Sequence, residues 1–156
     1  SSYWDAGPEV EAAVLAGVRD VERRQAAARK AAAKRAADKA AAEARARAKT
    51  EALRNAQRNP RAIGKIMAAE RGWTGQQWTC LNLLWNRESM WRYNADNPSS
   101  SAYGIPQALP GSKMASAGSD WATNPVTQIK WGLDYIAGRY GSPCNAWAHS
   151  ESTGWY

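Results

Sequence analysis

Histidine and cysteine are nearly absent from this chain: His149 is the one imidazole, and Cys80 and Cys144 are the two thiols. Zinc centres draw three or four ligands from such side chains, so no metal site is expected. No apolar run reaches 18 residues, which excludes a membrane-spanning helix. From Val18 to Asn59 there is neither glycine nor proline. With the usual breakers gone, that alanine-, lysine- and arginine-rich stretch is free to run as one helix. The period-two alternation of strands is missing, so the fold class is mainly α. No phosphate-cradling loop matches, and Ser89 lacks the Asp and His partners of a serine nucleophile.

Tryptophan is scarce at one end and dense at the other. Only Trp4 precedes residue 73, whereas the other eight fall between Trp73 and Trp155. Charge runs the opposite way: residues 1–59 carry a net +5 and residues 60–156 a net +2. Two regions follow, an N-terminal helix over 1–59 and a compact domain over 60–156. Both cysteines lie in the compact region. One well-separated pair in a small domain suggests a single disulfide in an oxidising compartment, with two buried free thiols as the alternative. The chain opens Ser1-Ser2-Tyr3-Trp4-Asp5 without an initiator methionine or a visible signal peptide. A cleaved secretory segment would account for that start, as would trimming.

Val10, Val14, Val18 and Val21 share one helical stripe. Beyond them the stretch from about 22 to 52 has helix propensity but little to bury. A long solvated helix is expected there, at most weakly self-associated as a coiled coil through its alanines. No aromatic residue interleaves with its charges, so no nucleic-acid partner is expected. In the compact region Asn59-Pro60 reads as an N-cap and first helical residue, opening a helix through Ile63, Ile66 and Met67 to Gly72. Thr74-Gly75-Gln76-Gln77 reads as a capping box. The helix it opens carries Trp78, Leu81, Leu84, Trp85 and Glu88 on one face. Asp96-Asn97-Pro98 is a turn, and residues 104–118 form an irregular stretch. Asn124-Pro125 starts a helix bearing Val126, Ile129, Gly132, Leu133 and Ile136, and Ser142-Pro143 opens a last one through Cys144 to Ala148.

Glu88 is the single carboxylate between Glu70 and Asp96, and tryptophans flank it at 85 and 91. Indole walls hydrate a charge poorly, so its pKa should rise. Its place near a helix C-terminus, where the macrodipole is negative, pushes the same way. A carboxylic acid still protonated near neutrality can hand a proton to a glycosidic oxygen. The simpler reading is a surface glutamate paired with Arg87 or Arg92.

Three ordered blocks extend the argument: Glu88-Ser89, then Ala102-Tyr103-Gly104-Ile105-Pro106-Gln107, then Asn124…Ile129…Gly132…Tyr135-Ile136…Tyr140-Gly141. Together they resemble the soluble lytic transglycosylase domain over roughly residues 60–156, in the tryptophan-rich form secreted by Gram-positive bacteria. The resemblance implies a lysozyme-like α fold preceded by the long helix, and a secreted, cell-wall location. It implies cleavage of peptidoglycan glycan strands between N-acetylmuramic acid and N-acetylglucosamine, with no cofactor. Glu88 would act as acid and then base, giving a 1,6-anhydro end. Ser89 would position it, while Tyr103, Gln107, Tyr135 and His149 would contact the saccharide. The chain departs from the family pattern at Ile105-Pro106, where Leu-Met is usual, and at His149-Ser150, in place of Tyr-Asn. Retaining and inverting hydrolases need a second carboxylate about 5–9.5 Å away. Asp96 reads as a turn former, Asp120 as a helix-entry residue and Asp134 as exposed, which favours a one-carboxylate mechanism. The alternatives are a hydrolytic muramidase on the same fold, with water in place of the C6 hydroxyl, and a non-catalytic cell-wall binding or structural protein. The N-terminal helix would be either a cationic spacer leaning on an anionic cell-wall polymer or membrane surface, or a linker with no specific partner.

Overall fold

A computed structural model describes residues 7–156; the Ser1–Asp5 opening and Trp4 lie outside them. Five α-helices and a 3-10 turn make up the described chain, without a strand. Helix α1 spans Pro8–Arg58. Its contacts divide the chain into two units, residues 1–48 and 49–156. The compact unit therefore begins eleven residues before the expected boundary at 60. Within it, Ala56 is buried and the Gln57 amide donates to the Thr123 carbonyl at 2.9 Å, so the last turns of α1 belong to the fold they precede.

In the first unit exposed ion pairs brace α1 locally. Asp20–Arg24, Lys34–Asp38 and Lys39–Glu43 pair at i, i+4 on an exposed surface. Such pairs add only about 0.2–0.5 kcal/mol each. The valine stripe exists but nothing among the described residues covers it: Val10, Val14, Val18 and Val21 are all exposed.

The compact unit continues with α2 (Pro60–Glu70), α3 (Gln76–Ser89), the 3-10 turn (Gly111–Ser116), α4 (Pro125–Tyr140) and α5 (Pro143–Thr153). The core is the apolar stripe of α3, Leu81, Leu84 and Trp85, set against Ile129, Leu133 and Ile136 of α4. Gly132 is required where the Trp85 indole reaches across to α4, because a Cβ there would lie 2.5 Å from that ring. Gly64 does the same for α2, where a Cβ would meet the Trp91 ring at 2.4 Å. Burying one such indole stabilises the fold by about 4–6 kcal/mol. Cys80 and Cys144 form the disulfide, tying α3 to the start of α5 across 64 residues.

Two expected caps are built differently. Helix α3 starts at Gln76 with Gly75 as its N-cap at φ +55°, and Thr74 makes no side-chain cap. The Gln77 side chain, which a capping box would turn back, instead accepts from the Cys144 N–H at 2.9 Å. Asn59 precedes Pro60 as expected, but its amide donates back to Asn55 rather than capping α2. The Asn124 cap is as read, accepting from Val126 N–H at 3.0 Å. Helix α5 runs five residues past Ala148, to Thr153, so His149 lies inside it. Ile66 and Val126, apolar residues of α2 and α4, are 60% and 40% exposed.

Candidate functional site

Helix α3 carries Glu88 and Ser89 as its last two residues and ends on Met90, a left-handed C-cap at φ 54°. Trp91 is left-handed as well, at φ 60°. This double turn drives the Trp91 indole back beneath the helix, where its Nε1 donates to Asn82 Oδ1 at 2.9 Å and its ring meets Trp85 edge-on. The two tryptophans flanking Glu88 are therefore core, 0% and 2% exposed, and not the walls of an open cleft.

Glu88 is half-buried, and burial raises its pKa above the ordinary 4.5 against the opposing pull of Arg87. The direction matches the sequence reading. The surface-ion-pair alternative does not hold: Arg87 donates to the Ser150 carbonyl and Arg92 to that of Ser89, and neither bridges Glu88. Two other carboxylates of the compact unit, Asp120 and Asp134, are committed elsewhere. Asp120 accepts from Thr127 at 2.6 Å and from Asn124 at 2.8 Å, which holds its pKa low. Asp134 pairs with Arg71. Asp96 is exposed and bridges through its backbone to Tyr103.

The segment 95–108 is pinned to α3 and α4 by polar side chains. Ser89 is buried, and its hydroxyl donates to the Ile105 carbonyl at 2.7 Å. Gln107, at φ 55°, spends its amide nitrogen on the carbonyls of Ala95 and Gly104. The anchor is Gln128, fully buried on α4. It accepts from Ile105 N–H at 2.9 Å and donates to the carbonyls of Tyr93 and Trp121 at 2.9 and 2.8 Å. Gly104, at φ +80°, lets the loop pass over that amide, since a Cβ would lie 2.7 Å from Oε1. Sequence reasoning passed over Gln128. Its signal was the buried register 125, 128, 129, 132, 133, 136, which puts an amide on a core face.

Beside this loop is a hollow of about 220 Å³ lined by Gln107, Trp131, Tyr135, Arg139, Trp155 and Tyr156 among others. Trp131 and Tyr135 stack at 5.2 Å, and the Arg139 guanidinium lies over Tyr135, Tyr140 and Trp155. Trp155 is half exposed. Tyr156, also unremarked in the sequence, ties the hollow to α3, the helix that carries Glu88. Its hydroxyl accepts from Trp85 Nε1 at 2.9 Å and donates to the Pro106 carbonyl at 2.6 Å. Burial first, and then the Glu88 charge, keep that phenol un-ionised. Glu88 does not itself line the hollow.

The family-implied residues thus separate. Gln107 and Tyr135 face the hollow, and Ser89 fastens the loop that forms one wall. Tyr103 points elsewhere: its hydroxyl donates to the Ala122 carbonyl at 2.7 Å and its ring meets Trp121. It holds the loop's outer side. His149 packs between Tyr140 and Trp155, with Nε2 buried and without a partner. Among the described residues no group of three or more His, Cys, Asp or Glu side chains is placed to hold a metal ion. Compared with known proteins, the chain matches no protein-family model, no curated protein and no solved structure.

Proposed function

We propose that the compact unit is a lysozyme-like lytic transglycosylase that cleaves peptidoglycan glycan strands. The observation that carries this reading is a half-buried glutamate whose pKa is raised by burial, at the end of the helix whose Trp85 is hydrogen-bonded to Tyr156 of the aromatic hollow. Glu88 in its neutral form protonates the oxygen between N-acetylmuramic acid and N-acetylglucosamine. The oxocarbenium-like centre is stabilised by the substrate's own N-acetyl group, because the Asp120 and Asp134 carboxylates are bound elsewhere. The Glu88 carboxylate then takes the proton of the muramic C6 hydroxyl, whose oxygen closes the 1,6-anhydro ring. Trp155 and the stacked Trp131–Tyr135 pair offer apolar faces for sugar C–H groups. The Cys80–Cys144 bridge suits an oxidising compartment and supports a place outside the cell, at the wall. There the cationic N-terminal helix is a spacer towards anionic wall polymer or the membrane surface.

Digestion of purified peptidoglycan, with the products weighed by mass spectrometry, tests this. Anhydro-muropeptides are expected from the wild type and none from Glu88→Gln. Reducing muropeptides would assign hydrolysis on the same site. No release, or release that survives Glu88→Gln, would remove Glu88 from the chemistry.

A further inference from the structure

A second hollow of the compact unit, not lined by Glu88, lies between the start of α2 and the segment 90–94 and holds about 690 Å³. That falls in the roughly 300–1,000 Å³ range that takes a small ligand or the end of a chain. Its charge is one-sided: Arg58, Arg61, Lys65 and Arg92 line it, and no carboxylate does. Arg61 reaches Asn86 and Arg92 uses only its Nε, on the Ser89 carbonyl. Arg58 and Lys65 have neither an ion pair nor a side-chain hydrogen bond among the described residues. Cations gathered without counter-charges repel one another, so an anion there is favoured.

The rest of the lining has a different chemistry. Trp78 and Tyr93 are half-buried and supply aromatic surface over the Trp91 floor. Asn82 gives its oxygen to the Trp91 indole and keeps its NH2, and Asn94 is exposed. The double left-handed turn at Met90–Trp91 shapes this wall and leaves Met90 70% exposed at the mouth. Backbone strain of that kind persists where the surroundings over-determine it, often at ligand clamps. Rings for a sugar face, amides for hydroxyls and unpaired guanidinium and ammonium groups for a negative charge occur together.

We propose that this hollow binds an anionic saccharide, its ring against Trp78 and Tyr93 and its carboxylate or phosphate between Arg58 and Lys65. The site is independent of catalysis at Glu88. Isothermal titration of the full chain with a glucuronate-containing disaccharide, glucose 6-phosphate, cellobiose and inorganic phosphate tests it. At least one anionic sugar should bind tenfold or more tighter than both cellobiose and phosphate, and more weakly as salt is raised. Which of the two binds better tells carboxylate from phosphate. An Arg58→Ala/Lys65→Ala double variant should lose that affinity about tenfold, whereas Glu88→Gln should keep it. The proposal is overturned if neither acidic sugar binds at millimolar concentration, if cellobiose or phosphate binds as well, or if the double variant binds normally. Tighter binding of oligothymidylate would overturn it in favour of a nucleic-acid strand.

Discussion

Replacing Gln128 with methionine keeps the side chain's length and removes its three hydrogen bonds. Left behind are the Ile105 N–H and the Tyr93 and Trp121 carbonyls, all of which meet a residue that is 0% exposed. An unsatisfied buried group costs about 1–3 kcal/mol, with carbonyls at the lower end because of their second lone pair. The better transfer of a thioether into the core offsets about 1 kcal/mol of this. A net loss of about 3–4 kcal/mol is therefore expected, a large share of the roughly 5–15 kcal/mol available to a domain. Gln128→Glu separates hydrogen bonding from packing. It keeps one oxygen for Ile105 N–H but sets the other against two carbonyls, so it is tolerated only when protonated. Its folded-state pKa is raised above the unfolded one, and its stability should fall as pH rises from about 4 towards 8. Urea unfolding followed by tryptophan fluorescence reads both variants. A methionine variant within 1 kcal/mol of wild type, or a glutamate variant whose penalty ignores pH, would refute the view that this amide anchors the loop.

Met90 pairs a left-handed φ of 54° with 70% exposure, so Met90→Gly relieves strain while giving up little burial. A gain of about 1 kcal/mol in unfolding free energy, read as a higher urea midpoint, is expected, and a loss would mean that the side chain packs in solution. Opening the disulfide by Cys80→Ser/Cys144→Ser frees a 64-residue loop and should lower stability by about 4 kcal/mol; an unchanged melting temperature would contradict the bridge. Glu88, its pKa raised by burial, favours the folded state only while protonated. That contribution is complete below about 4.5 and is lost as pH rises through the raised folded value. Glu88→Gln should therefore be more stable than wild type near neutrality, with the difference closing at acid pH in thermal melts. Catalysis that needs the protonated acid should fall over the same pH window; a rate flat across it would detach the proton from the chemistry.

How far the sequence reached depends on the range of the interaction concerned. Short-range signals located the helices: the absence of breakers in α1, Asn124-Pro125 before α4, Ser142-Pro143 before α5. Where a cap depended on a distant partner they misread it, since nothing in Thr74–Gln77 reveals that Gln77 is taken by the Cys144 N–H, 67 residues on. The start of the compact unit was missed for the same reason. Ala56 and Gln57 look like every other residue of a polar helix until Thr123 is placed beside them. At the site, local environment was enough to give the direction of the Glu88 pKa, because burial at a helix end follows from periodicity. It was not enough to give the surroundings. The tryptophans nearest Glu88 in sequence went into the core, while those beside the neighbouring hollow come from residues 131 and 155. A helix that ends in two left-handed residues explains why: the turn at Met90–Trp91 reverses the chain and sends the flanking indole into the core. The cleft is then left to be built by α4 and the residues after α5. Proximity along the chain is thus a poor guide to what surrounds a carboxylate at a helix end, whereas the buried register of α4 both holds the loop through Gln128 and presents Trp131, Tyr135 and Arg139 on an adjoining i, i+4, i+8 row.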